Sequence, residues 1–195
     1  MNVKRIFDIF FSSIVLFFSL PVFIVFSLII KLEEGSPVFF KQKRVGRFGK
    51  EFIILKFRTM ENTKGPILTS SSDKRITRIG KILRRTNFDE IPQFINIIKG
   101  EMSVLGPRPE IPEIVEKYNN KQKEILKFKP GFTSPATVKF IHEEKILDNK
   151  PILEYYLNNI LPEKISIDLE YFNKKYNFFK DLVIILKTIG KTFDE

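Results

Sequence analysis

Asp89 and Glu90 stand side by side in RRTNFDEIPQFINIIKGEMSVLGPRPE, the stretch from Arg84 to Glu110. Neighbouring carboxylates repel each other, so a pair kept together asks for cations nearby. Arg84, Arg85 and Arg108 supply them in sequence, and Pro107 and Pro109 stiffen the backbone that carries Arg108. Helical spacing begins just beyond the pair. Ile91, Phe94, Ile95 and Ile98 recur on one face, Gly100 ends the run, and Pro92 is admissible only in a first turn. The pair therefore falls near a helix start. One reading is structural: Asp89 is the N-cap and Glu90 favours the helix dipole. The other is chemical. Free N–H groups at a helix start attract phosphate. A divalent cation or arginines would then offset the repulsion between that phosphate and the two carboxylates. A carboxylate is also a nucleophile toward phosphorus, giving an acyl-phosphate.

Composition narrows the scaffold that must hold these groups. A chain of 195 residues suits one domain with a sizeable core. A formal net charge of +10 calls for an anionic partner: nucleic acid, phospholipid or a phosphorylated small molecule. The absence of cysteine excludes thiolate catalysis, disulfides and cysteine zinc sites, and it fits a reducing compartment. The single histidine, His142, cannot build a multi-histidine metal site. Low glycine with abundant Phe, Ile and Leu marks an ordered protein.

The run IFFSSIVLFFSLPVFIVFSLII, from Ile9 to Ile30, contains no charged residue. A bilayer-crossing helix needs about 20 residues. A signal peptide would be shorter and end in a small-residue cleavage site, whereas KLEEGSPVFF follows here. Two features argue against a plain single crossing. Ser19-Leu20-Pro21 interrupts the run, and both flanks are basic: Lys4 and Arg5 before, Lys31, Lys41, Lys43 and Arg44 after. The positive-inside rule asks both flanks to stay in the cytoplasm. A helix that enters, breaks at Ser19 and Pro21 and returns satisfies this, while proline is also tolerated in spanning helices. Physics alone leaves the two open.

Beyond the anchor, VFFKQKR and EFIILKFR joined by VGRFGK read as a β-hairpin. Residues 63–74 read as a polar loop. KRITRIGKILRRT places Ile76, Ile79, Ile82 and Leu83 at helical spacing, and EKYNNKQKEILKF reads as a solvated helix. PGFTSP is turn-rich. From Ser166 to Phe193, Leu169, Phe172, Tyr176, Phe179, Leu182, Val183, Leu186 and Ile189 recur at threes and fours among lysines. That pattern fits a helix packed on the core or one lying in a membrane interface.

These stretches together resemble the monotopic phosphoglycosyl transferases of the bacterial sugar transferase family, in minimal catalytic form. KRIFD (Lys4 to Asp8) resembles the start before the family's re-entrant helix. QKRVGRFGKEFIILKFRTM (Gln42 to Met60) resembles its hairpin, and Arg75 to Glu110 resembles its catalytic core nearly residue for residue. The resemblance implies an α-rich α+β fold with a re-entrant membrane helix, a small β-hairpin and interfacial amphipathic helices. It divides the chain into an anchor over 1–35 and a cytoplasmic-face catalytic domain over 36–195 that ends in an amphipathic helix. It also implies transfer of a phospho-sugar from a UDP-sugar to polyprenol phosphate, with release of UMP. Asp89 would be the nucleophile and Glu90 would assist proton removal or metal binding, with Mg²⁺ bridging both carboxylates and the diphosphate. Lys56, Arg58, Arg84, Arg85 and Arg108 would hold phosphate; Lys56 and Arg58 are equally readable as hairpin surface charges. The implied location is the bacterial cytoplasmic membrane. The implied partners are the UDP-sugar, polyprenol phosphate, phospholipid and downstream glycosyltransferases, with no nucleic acid.

Two departures stand out. The family often has adjacent Ser-Pro at the membrane-helix break, where this chain has Ser19-Leu20-Pro21, and PGFTSPATVKF (Pro130 to Phe140) keeps only the family's Pro-Gly-x-Thr start. The rival readings are a basic nucleic-acid or anionic-membrane binder and a membrane scaffold, both without catalysis. No zinc-finger or ribonucleoprotein motif supports the first. VGRFGK lacks the ending of a phosphate-binding P-loop.

Overall fold

The uncharged N-terminal run forms one helix, α1 (Val3–Glu34), in a computed structural model that describes residues 3–61, 63, 65–148, 150–174 and 177–193. Pro21 lies inside it, and helical residues continue on both sides. The expected break at Ser19 and Pro21 is therefore not an interruption of the helix. Proline removes one N–H and leaves the remaining ladder to carry the helix through. Ser19 is buried and donates to the Leu16 carbonyl at 3.3 Å.

The hairpin forms as its sequence implies. β1 (Phe39–Val45) pairs antiparallel with β2 (Glu51–Phe57), with Phe39 opposite Phe57 and Val45 opposite Glu51. The connection turns through Phe48 and Gly49, both at positive φ. The polar 63–74 stretch then crosses the surface with neither helix nor strand among its described residues.

α2 (Arg78–Arg85) starts at Thr77, whose hydroxyl accepts from the Gly80 N–H at 3.0 Å. A 3₁₀ turn over Phe88–Glu90 leads to α3 (Gln93–Lys99), which ends at Gly100 in the left-handed region. Asp89 is thus not the N-cap of α3; Pro92 occupies that position. The acidic pair occupies its own tight turn, entered through Asn87 at φ 54. Asn adopts this conformation more readily than most residues. The buried face of α3 includes Phe94 and Ile97, while Ile98 is exposed, so the apolar face is rotated from the one expected.

β3 (Ser103–Leu105) pairs in parallel with β4 (Gly131–Thr133) inside the stretch read as turns. Close approach explains the glycines there: a Cβ on Gly131 would lie 2.0 Å from the Gly106 nitrogen. Short helices follow: α4 (Pro112–Val115), α5 (Asn120–Lys123), α6 (Pro135–Lys139), α7 (Glu143–Ile146) and α8 (Ile152–Tyr155). The helix expected over 116–128 shrinks to α5 and a following 3₁₀ turn, because Tyr118 and Ile125 turn inward on either side. A π-helical turn over Tyr156–Ile160 joins α8 to α9 (Leu161–Phe172), and α10 (Phe178–Phe193) follows. The single period read over 166–193 is therefore two helices; Tyr176 lies outside the described residues. α10 buries Ile184 and Ile185 and exposes Phe179, Val183, Leu186 and Ile189. Most of the α10 part of the stripe counted along the sequence is uncovered, whereas its α9 part, Leu169 and Phe172, packs on the core. Helix makes up 59% of the structure, in keeping with an α-rich α+β class.

Both halves of α1 dock on the rest of the chain. Phe7, Phe11, Val15 and Leu16 pack against Ile91, Phe94, Ile97, Met102 and Val104. Further along, Phe23, Phe26 and Ile29 pack with Ile30 against Phe57, Ile79 and Leu83. The KRIFD residues add polar fastenings. Arg5 donates to the Ile97 and Ile98 carbonyls at the end of α3, and the buried Asp8 accepts from Ser103 Oγ at 3.0 Å and Val104 N at 2.9 Å. Elsewhere α1 stays open, with Phe17 and Phe18 about three-quarters exposed at 73% and 75%.

Candidate active site

The turn carrying Asp89 and Glu90 lies between β2 and α2 and opens on a cavity of about 440 Å³. Lys56, Arg84, Arg85, Asp89, Glu90 and Arg108 all line it. The size suits a small-molecule ligand.

The two carboxylates are buried, but their surroundings differ. Lys56 Nζ donates to Glu90 Oε1 at 2.6 Å. Arg108 grips both Glu90 oxygens, Nη1 to Oε2 at 3.0 Å and Nη2 to Oε1. Such a fork fixes orientation as well as charge. Burial works against the Glu90 anion, but Arg108 and then Lys56 outweigh it and hold this carboxyl well below the usual range. The same contact raises Arg108, whose guanidinium stays charged. Asp89 has no ion pair or hydrogen bond to its carboxylate among the described residues. Burial, reinforced by the Glu90 charge, pushes it up to about 6, while Lys56 and Arg84 pull the other way.

Arg84 reaches the site from α2, donating Nε to Thr59 Oγ1 at 3.0 Å and Nη1 to Glu144 Oε1 at 2.9 Å. Arg85 is exposed on the same helix. Arg58 is the exception among the candidates. It does not line the cavity; its Nη2 donates to the Glu34 and Gly35 carbonyls at 2.6 and 2.7 Å. Carbonyls at a helix C-terminus lack intrahelical partners and carry negative partial charge, so they take this guanidinium. Arg58 fastens the end of α1.

Several residues with no motif of their own complete the site. Asn96, fully buried, accepts from Leu55 N at 3.1 Å and donates to Ile53 O at 2.7 Å, pairing with the free edge of β2 beside Lys56. Behind Arg108, the Pro109 carbonyl accepts from Arg44 at 3.0 Å and Glu110 accepts from the Tyr156 hydroxyl. Lys164 pairs with Glu143 at 2.7 Å on the opposite wall. The divergent segment, through Thr137, Phe140 and residues 141–145, forms much of that wall. Its contribution rests on contacts far apart in sequence, which no local pattern announces.

The donor set bears on the implied Mg²⁺. No group of three or more acidic or histidine side chains suited to a metal occurs among the described residues. Mg²⁺ commonly takes one or two carboxylates and completes its shell with water and substrate phosphates. A buried Asp89 that lines a cavity fits that role, and Glu90 fits it if one of its cation contacts opens.

The family model for bacterial sugar transferases matches residues 1–195. A putative undecaprenyl-phosphate N-acetylgalactosaminyl 1-phosphate transferase of Bacillus subtilis (strain 168) is 45% identical over 136 residues, covering 68% of this chain and 72% of that protein. An uncharacterized sugar transferase, EpsL, of the same strain is 34% identical over 98% of this chain and 87% of its own. The UDP-glucose:undecaprenyl-phosphate glucose-1-phosphate transferase of Escherichia coli (strain K12) is 34% identical over 97% of this chain, which matches 40% of that longer protein. The chain belongs to the bacterial sugar transferase family and is a transferase.

Proposed function

We propose that this protein transfers a phospho-sugar from a UDP-sugar to polyprenol phosphate in two steps through Asp89. The names of its relatives support the substrates: two of them are named for undecaprenyl phosphate, one of these also for UDP-glucose. Membership of a transferase family stands against the readings without chemistry. The observation that carries the mechanism is the asymmetry of the acidic pair: Glu90 is held by two cations, and Asp89 is buried beside it with no ion pair or hydrogen bond to its carboxylate among the described residues.

In the first step Asp89 Oδ attacks the β-phosphorus. The bond from that phosphorus to the oxygen bridging the two phosphates breaks, and UMP departs with the bridging oxygen. In the second step a phosphate oxygen of the lipid attacks the same phosphorus, frees the Asp89 carboxylate and gives polyprenyl-diphosphate-sugar. Lys56 and Arg108 keep positive charge at the diphosphate. Glu90, held far below the usual carboxylate range, is a weak base, which favours a role in holding those cations over proton removal. Mg²⁺ bound at Asp89 and Glu90 would neutralise part of the diphosphate charge.

The site then works at headgroup level on the cytoplasmic face of the membrane. The uncovered middle of α1 dips into the bilayer while both of its docked ends stay on that face, with α10 lying in the interface, apolar stripe down. A purified enzyme in nanodiscs, mixed with each of a panel of UDP-sugars and no acceptor, should release about one UMP per active site and leave a phospho-sugar on Asp89. UMP release that waits for polyprenol phosphate would contradict the two-step reading.

A further inference from the structure

The proposed reaction brings two phosphates to Asp89 in turn, one on a soluble nucleotide and one on a lipid. Lys56, Arg84, Arg108 and Lys164 line the cavity, and each already holds a carboxylate. Lys145 and Lys81 also line it, both exposed and without an ion-pair partner among the described residues, and of the two only Lys81 lies on the stretch of chain that leads to Asp89. Lys81 sits on α2, the element that links the apolar helix to the site. The buried face of α2, Ile79 and Leu83, packs with Ile30 of α1, with Phe23, Phe26 and Ile29 around them. The open face of α2 carries Arg78, Lys81 and Arg85 at spacings of three and four, all exposed. Ile82 lies among them, 55% exposed. An uncovered isoleucine among cations, on a helix seated against an apolar anchor, suits the boundary between acyl chains and phosphate headgroups. The C-terminal end of this helix leads in four residues from Arg85 to Asp89.

We infer that Lys81, with Arg85 beside it, binds the phosphate of the lipid acceptor, on the α2 side of the cavity and apart from the Lys56–Arg108 side that meets the nucleotide's diphosphate. The acceptor's apolar chain runs along α1 past Ile82, and its phosphate monoester stops at Lys81 within reach of the Asp89 turn. This assignment rests on the transfer proposed above.

Two-step kinetics allow a clean test, because kcat/KM for each substrate reports only its own half-reaction. Lys81→Ala should lower kcat/KM for polyprenol phosphate roughly tenfold or more, the usual effect of losing a charged hydrogen bond. For the UDP-sugar the change should stay within about twofold, since Lys81 makes no contact with the Asp89–Glu90 pair. Lys81→Arg should restore most of the loss, and Lys81→Glu should deepen it. An equal fall in both constants, or a fall confined to the UDP-sugar, overturns the assignment. A second measurement needs no turnover. Acylation of the Lys81 amine should be slower in nanodiscs containing polyprenol phosphate than in discs of phosphatidylglycerol alone, and UDP-sugar should not protect it. Protection by UDP-sugar, or none by the lipid phosphate, overturns the assignment even if the transfer reaction itself stands. Lipid protection in an enzyme that releases no UMP would uphold the subsite and refute the reaction.

Discussion

Asp89 and Glu90 are one peptide bond apart and titrate in opposite directions, because different groups face them. Glu90 meets Arg108 and Lys56 directly, whereas Asp89 feels burial first, then Lys56, Glu90, Arg84 and Glu144 at longer range. For the proposed attack on phosphorus, its carboxyl, pushed up to about 6, must be ionised. The rate of UMP release at low UDP-sugar should therefore fall about tenfold per pH unit below that value. Lys56→Met removes the cation acting most strongly on Asp89, so its acid limb should move to higher pH; an unmoved limb would detach Lys56 from the nucleophile. The same shift carries a stability consequence. A carboxyl whose folded value lies above its unfolded 3.8 costs stability once pH rises through the folded value, and costs nothing below the unfolded one. The gap to about 6 corresponds to on the order of 3 kcal/mol. Asp89→Asn should thus lose activity by orders of magnitude yet melt at a higher temperature than the parent at pH 7 to 8. That advantage should vanish near pH 4. An asparagine variant that melts lower at pH 8 would mean the carboxylate is stabilised in a way the site does not reveal.

At the scale of elements, the site depends on how β2 and the Asp89 turn are held together. A two-stranded hairpin alone is marginal. Asn96 supplies the missing neighbour, using its amide as a peptide-like partner for Leu55 and Ile53 and donating also to Glu101 at 2.7 Å. Asn96→Ala removes the partner of partly buried strand groups and should destabilise the protein by about 1–3 kcal/mol, read from denaturant unfolding in detergent. A loss below about 0.5 kcal/mol would mean water replaces the amide freely. Much of this arrangement was legible in the sequence. Two short apolar runs joined by a glycine-containing connection mark the hairpin, and Asp89, Glu90, Lys56, Arg84, Arg85 and Arg108 do converge on one cavity. What escaped has physical causes. β3 and β4 are three residues each, too short to show a period, and their pairing rests on contact between Gly106 and Gly131. The sequence pattern puts the start of α3 too early, because a 3₁₀ turn mimics a helical first turn. Arg58 lies two residues from Lys56, and only the position at which α1 ends directs it to the Glu34 and Gly35 carbonyls.

The whole molecule bears on how the anchor meets the membrane. α1 has 32 residues, about 48 Å of helix, so length alone permits a crossing of roughly 30 Å of hydrocarbon. Its docking argues otherwise. Near its start, Arg5 and Asp8 fasten it to α3 and β3; near its end, Ile30 is buried against Phe57 and Ile79, and Arg58 caps its last carbonyls. Both ends belong to one folded body. A helix crossing the bilayer would have to put parts of that body on both sides, burying charged surface in hydrocarbon. With both ends on one face, only the uncovered middle, around Phe17, Phe18 and Leu20, needs to enter the lipid. In the proposed arrangement the net charge of +10 would favour anionic headgroups, and Phe178 at the start of α10 meets Phe7 of α1 edge-on. The chain has no cysteine, so single cysteines report topology directly. In intact cells, neither Ile6→Cys nor Ser36→Cys should react with an impermeant thiol reagent, and both should react in inside-out vesicles. Pro21→Ala, which restores the missing N–H, should favour a straighter helix and weaken this arrangement. Labelling of one site from outside and the other from inside would establish a crossing helix, and the docking contacts at one end of α1 would then have to be broken in the membrane.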